Sequence, residues 1–214
     1  RQKKLIFIGD NLLTNPKEAN FSIRQSISSI MQLLESGEHL TIQLLESTCK
    51  PRNAPRSYFW GRIFLGAARL YFLRRVTQIE GISLEVYGNG WEQESTIAPY
   101  VRGTSADDHQ AAALYSEASH VFSCGPLDRM ARDVARIRAC GAIPILLPYW
   151  FEKLNHTWRE QALCMDDIGN IQPVINESLQ QPDPNFALSH HDYDSFAKII
   201  LNIVSHRVRK QTVA

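Results

Sequence analysis

Three arginines at Arg129, Arg132 and Arg136 follow the segment Ser123-Cys124-Gly125-Pro126, at spacings i, i+3 and i+7 that put them on one side of a helix. A strand feeding directly into a helix N-terminus leaves free backbone N–H groups and the positive end of the helix dipole. Guanidinium groups beside them suit an anion, above all a phosphate. The bland alternative is a solvated helix face whose arginines pair with Asp128 and Asp133. A second candidate is the turn Gly88-x-Gly90-Trp91, where two glycines permit close backbone approach or a tight turn. It lacks the third glycine of a dinucleotide fingerprint, so NAD is disfavoured. Asp10, Asp107, Asp108 and His109 complete the polar candidates. Helix capping accounts for Asp107 or Asp108 better than catalysis does. No carboxylate partner for His109 can be placed from sequence. No Ser-His-Asp order, phosphate-binding P-loop or cluster with metal-ligand spacing is present, so a protein nucleophile or bound metal is not expected.

The elements that must position these residues alternate between strands and helices. Leu5 to Ile8, closed by Gly9-Asp10-Asn11, is a buried strand. Ile23, Ile27, Ile30 and Leu34 recur at helical spacing up to Gly37. Leu40 to Leu45 reads as a second strand, and a basic, proline-interrupted loop spans Cys49 to Arg56. Trp60, Ile63, Phe64, Ala67 and Tyr71 define an amphipathic helix that also carries Arg62, Arg69, Arg74 and Arg75. Further strands are expected at Ile82 to Tyr87, Tyr100 to Gly103, His120 to Cys124 and Ala142 to Leu147, with a short one near Gln161 to Met165. Helices are expected from Asp107 to Ala118, after Gly125-Pro126 along Met130, Val134 and Ile137, and over Ile168 to Leu179. Pro148 to Phe151 reads as an aromatic loop, and a last helix runs through Phe196, Ile199, Ile200, Ile203 and Val204. Helical crossovers imply a largely parallel sheet, hence one α/β, Rossmann-like three-layer domain over residues 1–214. Ligands of such sheets bind beyond the carboxyl ends of the strands.

Composition sets outer limits. The 214 residues are 44% hydrophobic and 21% charged, enough for one well-buried domain. Twenty-three basic against 22 acidic side chains give a net charge of +1, which argues for neither nucleic acid nor an acidic substrate. The nearly apolar stretch Ala139 to Phe151 is too short to span a bilayer and is broken by Gly141, Pro144 and Pro148. Cys49, Cys124, Cys140 and Cys164 are far apart and read as free thiols, which points to a reducing, cytoplasmic compartment. The chain opens at Arg1, without a signal-peptide pattern, and reads as part of a longer polypeptide.

The order of motifs between Gly81 and Pro144 carries a family resemblance: Tyr87-Gly88-x-Gly90-Trp91, Val101-x-Gly103, Leu114-Tyr115-Ser116-x-Ala118, then Arg138-Ala139-Cys140-Gly141-Ala142. It resembles the nucleotide-sugar-binding C-terminal half of GT-B glycosyltransferases, nearest to group 1 transferases of the spore-maturation-protein type. Phe7-Ile8-Gly9 fits the same pattern, and Gly141-Ala142-Ile143-Pro144-Ile145 is similar to a step in exostosin-like transferases. The resemblance implies metal-independent transfer of a sugar from a nucleoside diphosphate, with no cofactor. It assigns Arg129 and Arg132 to the leaving diphosphate, and Gly9, Gly88, Gly90 and Gly103 to close approach of the backbone to the donor. Trp91 would border the nucleobase, and Asp10 and Ser123 would join the donor site at the ends of their strands. Where the family commonly has a ribose-binding glutamate, this sequence has Arg136, so Asp133 substitutes from the preceding turn or donor binding has changed. The general base would come from an N-terminal acceptor half or a partner chain. A degenerate GT-B domain, serving as an interaction module through Trp60, Arg62 and Arg69, is the alternative. A Rossmann-like enzyme using another nucleotide comes third.

Overall fold

The computed structural model describes residues 3–13, 21–37, 40–104, 107–125, 129–165 and 171–176. Among them six strands form one all-parallel sheet in the order β3-β2-β1-β4-β5-β6. The strands are β1 (Lys3–Ile8), β2 (Ile82–Tyr87), β3 (Val101–Gly103), β4 (His120–Phe122), β5 (Ile143–Leu146) and β6 (Leu163–Cys164). The central strand β1 pairs Leu5 with Leu84 and Phe7 with Val86 on one side, and Leu5 with His120 and Phe7 with Phe122 on the other. Leu5, Ile6 and Phe7 are all buried, which is why this strand reads as a continuous apolar run rather than an alternating one.

The connection from β1 to β2 holds α1 (Phe21–Ser36), α2 (Ile42–Thr48), α3 (Arg56–Tyr58), a π-helical stretch Phe59–Phe64 and α4 (Leu65–Val76). Helix α4 buries Ala67, Ala68, Tyr71, Phe72 and Leu73 against the sheet and α1. Phe72 stacks on Phe122, and the Tyr71 hydroxyl donates to the carbonyl of Leu34 at 3.1 Å. A separate, smaller core of Val121, Ile137 and Ala142 lies under α5 (Asp108–Glu117) and α6 (Met130–Ala139), with Tyr115 and Ala118 packed against it. Two cores about one sheet make the three layers of a Rossmann-like α/β domain. Beyond β5 come the short helices α7 (Pro148–Phe151) and α8 (His156–Arg159), and after β6 comes α9 (Ile171–Asn176).

The strand expected at Leu40 to Leu45 is a helix instead. Thr41 caps it, its hydroxyl accepting the Leu44 N–H at 3.1 Å, and Leu45 and Cys49 face the core at i and i+4. A short apolar run carries no period long enough to separate the two states, and the position beside β1 is taken by β2. The aromatic segment Pro148–Phe151 likewise closes into a helical turn, seated by Phe64 stacked on Trp150 and Trp60 stacked on Tyr149. The other expected strands appear within a few residues of their places, and Asp107 caps α5 in a capping box with Gln110. The helix expected over Ile168 to Leu179 is seen as α9, the remainder lying outside the described residues, as does the helix through Phe196 to Val204.

At the amino edge of the sheet, Lys4 bridges Glu85 at 3.0 Å and Glu117 at 3.1 Å. Beside it His120 is buried. Ser119 Oγ donates to the Lys4 carbonyl at 2.8 Å, so its 3.0 Å contact with His120 Nδ1 is completed by an imidazole N–H. Nε2 has no hydrogen-bond partner. Burial, helped by Lys3, pulls the His120 pKa down to about 4, so the native state holds the ring neutral. Unfolding restores an ordinary value near 6.5. The unfolded chain therefore binds the extra proton between these values, and stability is full above pH 6.5 and falls as pH drops toward 4. The loss attributable to this ring is at most about 3 kcal/mol. Urea midpoints at pH 7.5 and 4.5 should converge in His120→Gln relative to the unmodified chain; equal pH drops in both would refute the assignment.

Candidate functional site

Strands β1 and β4 are neighbours, yet the chain leaves them in opposite directions, toward β2 and toward β5. The crevice at their carboxyl ends is the topological switch point where ligands of open parallel sheets bind. Its rim is Gly9-Asp10-Asn11 after β1 and Ser123-Cys124-Gly125 after β4. On the first side, the Gly9 N–H donates to the Tyr87 carbonyl at 2.8 Å and the Asn11 N–H to the Asn89 carbonyl at 2.9 Å. The Asp10 carboxylate accepts from the Asn89 backbone N–H at 2.8 Å and from its side-chain amide at 3.1 Å. Asn11 is buried, donating to the Gly90 carbonyl at 3.2 Å and accepting from the Leu13 N–H at 3.0 Å. The loops after β1 and β2 are thus one hydrogen-bonded unit.

The glycines expected at the donor divide within this unit. A Cβ on Gly88 would stand 2.1 Å from the Gly9 carbonyl oxygen, so that glycine is required by one loop meeting the other. Gly90 turns the chain with φ +84°. Trp91 is a correction to the sequence reading: its ring is fully buried, set edge-to-face on Phe7, with Nε1 donating to the Gly9 carbonyl at 2.7 Å. A ring sealed in this way pins the end of β1 and has no face to offer a base. Gly103 does face a cavity. A cleft of about 380 Å³ lies between the ends of β2 and β3 and helix α5, lined by Tyr87, Gly103, Thr104, Gln110, Ala113 and Leu114.

On the β4 side the expected residues also separate. Ser123 is buried, its hydroxyl directed at Met130 Sδ 3.8 Å away, so it is not presented to the crevice. Arg129 is exposed at the N-cap of α6. Arg132, one turn on, is partly buried, and its Nε is sealed from solvent without a hydrogen-bond partner. Asp133 lies over Gly125, where a Cβ would come within 2.9 Å of its carboxylate. Arg136 is held elsewhere, gripping Asp108 on α5 through two bonds of 3.0 and 3.2 Å. His109 is exposed.

The residue that sequence reading misplaced is Arg69 of α4, expected on a basic interaction face with Trp60 and Arg62. It reaches into the crevice, with Nε donating to the Cys124 carbonyl at 3.1 Å and Nη1 to the Asp10 carbonyl at 2.8 Å. The legible signal was a lone charge inside Gly66-Ala67-Ala68-Arg69-Leu70-Tyr71-Phe72, where burial on nearly every side is expected. Trp150 closes the same end, Nε1 donating to the Gly125 carbonyl at 2.8 Å. Burial pushes the Cys124 thiol up to about 12, so it is no nucleophile at neutral pH.

The chain matches no family model, no curated protein and no solved structure. Among the described residues no group of three or more His, Cys, Asp or Glu side chains is arranged to hold a metal ion, and no helix is long and apolar enough to cross a membrane. All four cysteines are free thiols.

The two glycine environments make opposite demands. Gly88→Ala drives a methyl into backbone and should cost more than about 4 kcal/mol in urea unfolding. Gly103→Ala meets only the Tyr87 ring at 3.6 Å and should stay within about 1 kcal/mol of the parent. Equal effects would contradict the assignment of Gly88 to loop packing.

Proposed function

We propose that this domain binds a nucleoside diphosphate sugar at the carboxyl edge of its sheet and acts as the donor half of a glycosyltransferase. What carries the reading is the alignment along one edge of an apolar cleft at β3 and a cationic helix start at β4. Strand spacing separates them by about 14 Å, comparable with the reach of an extended nucleoside diphosphate. A base fits between the Tyr87 side and Ala113 and Leu114, with Thr104 and Gln110 as polar groups at the wall. The diphosphate then falls at the N-terminus of α6, where free N–H groups, Arg129 and Arg132 favour it. The unpaired Arg132 Nε supports this role, because a buried donor without a partner is costly until something accepts from it. Charge developing on the departing diphosphate would be stabilised by the same cations without a metal.

In this reading Asp133, beside Gly125, is the carboxylate placed nearest a ribose, and Arg136 is withdrawn by Asp108. Sugar acceptor and general base belong to an N-terminal half or a partner chain, and a cytoplasmic setting accords with free cysteines. The Arg136–Asp108 pair also favours a second reading, a degenerate domain that has lost the donor and kept a protein partner. Arg69 does not belong to the interaction face of that alternative, since its guanidinium is turned into the crevice.

Calorimetric titration with UDP, GDP, CMP, ADP and NAD discriminates between the two. One nucleoside diphosphate should bind, and Arg132→Ala should weaken it at least tenfold, about 1.4 kcal/mol or more, with unfolding unchanged. Absence of binding at millimolar nucleotide would overturn the donor reading, and unchanged affinity in the variant would remove Arg132 from the site.

A further inference from the structure

Arg69 is a cation planted where the sheet forks. Its guanidinium lies directly on Gly9, close enough that a Cβ there would come within 3.2 Å of the central carbon, and 5.7 Å from the Phe7 ring centroid. Its two hydrogen bonds go to neutral carbonyls, one from each rim of the crevice. Among the described residues no ion pair reaches it. The Asp10 carboxylate attracts it while bound to Asn89. Among the described residues Nη2 has no hydrogen bond, and the residue as a whole is only partly buried.

A staple between two carbonyls needs donors, not charge. An amide side chain supplies them without the desolvation penalty of a largely buried ion, which amounts to several kcal/mol. Burial indeed pulls the guanidinium's pKa below its ordinary value. An arginine kept at this position is explained if its charge is completed from outside by an anion. The planar fork matches a phosphoryl group best.

We propose that the crevice between β1 and β4 is a phosphoryl-anion site anchored by Arg69, which grips a diphosphate from the α4 side of the sheet while Arg132 approaches it from the α6 side. The inference rests on the donor reading only for the source of that diphosphate; the anion site itself stands without a nucleotide. It adds a ligand-holding residue from the β1–β2 connection, a stretch with no part in the motif-bearing segment.

Inorganic pyrophosphate, titrated into the full chain at fixed ionic strength, is the probe. Binding is expected, and Arg69→Gln, which keeps amide donors for the two carbonyls but removes the charge, should weaken it at least tenfold. Hydrogen exchange of the unmodified chain should show pyrophosphate protecting residues 9–11 and 123–125, a readout that holds even if the variant fails to fold. No binding, equal binding by a folded Arg69→Gln, equal protection by sulfate, or protection that spares both segments would each overturn the proposal. Ala113→Trp, filling the cleft at β3, separates the two claims: it should abolish any preference for UDP over pyrophosphate and leave pyrophosphate affinity unchanged. If the unmodified chain binds UDP no tighter than pyrophosphate, the nucleotide reading fails and the Arg69 site remains.

Discussion

The way β1 ends governs the whole carboxyl edge. The Gly9 carbonyl accepts the Trp91 indole, while the face of Gly9 carries the Arg69 guanidinium and its N–H binds the end of β2. Three neighbours converge on a residue with no side chain, and the Gly88 backbone comes so near that it too must lack one. This convergence brings a helix from one layer and the loops of two strands to a single point. It also leaves the crevice toward β4 bounded by backbone groups whose positions are over-determined, which is what a binding edge requires if it is not to reorganise around its ligand.

The long β1–β2 connection makes the same edge rigid from above. Helix α4 is buried on almost every side, so its one inward charge must end where polar groups wait, at the strand termini. The π-helical turn preceding it adds a residue per turn and carries Phe59, Ile63 and Phe64 inward, where Phe64 stacks on Trp150 and Trp60 on Tyr149. Trp60 and Arg56 both donate to the Glu46 carboxylate, joining this turn to α2. Trp150 in turn reaches the Gly125 carbonyl, so aromatic packing from the far side of the sheet holds the loop that introduces α6. Hydrophobic contact and polar positioning are here the same construction.

Charges at the edge sort by partner. Arg136 has a carboxylate in a fork geometry and little left to give, whereas the two hydrogen bonds of Arg69 go to carbonyls and Arg132 keeps a buried donor unmatched. Arginines identical in sequence terms thus differ in what they can offer a ligand. Exposed ion pairs such as Arg136–Asp108 contribute little to stability, but they decide which cations are withdrawn from the crevice.

The sequence by itself determined the layers. Apolar runs of strand length, separated by helical periods and closed by glycine, specify an α/β alternation, because side-chain period and turn chemistry are local properties. Asp107 as a cap and the stripe of Met130, Val134 and Ile137 were legible for that reason. Leu40 to Leu45 was not, since a short apolar run satisfies either period until its neighbours are known. Tertiary structure alone decided that β1 lies between β2 and β4, and therefore that the switch point falls at Gly9 and Cys124. It decided that Trp91 and Ser123 are buried and that Arg69, far away in sequence, points into the crevice. Strand order and burial follow from which distant surfaces exclude water together, a condition on the whole chain that no window of residues contains.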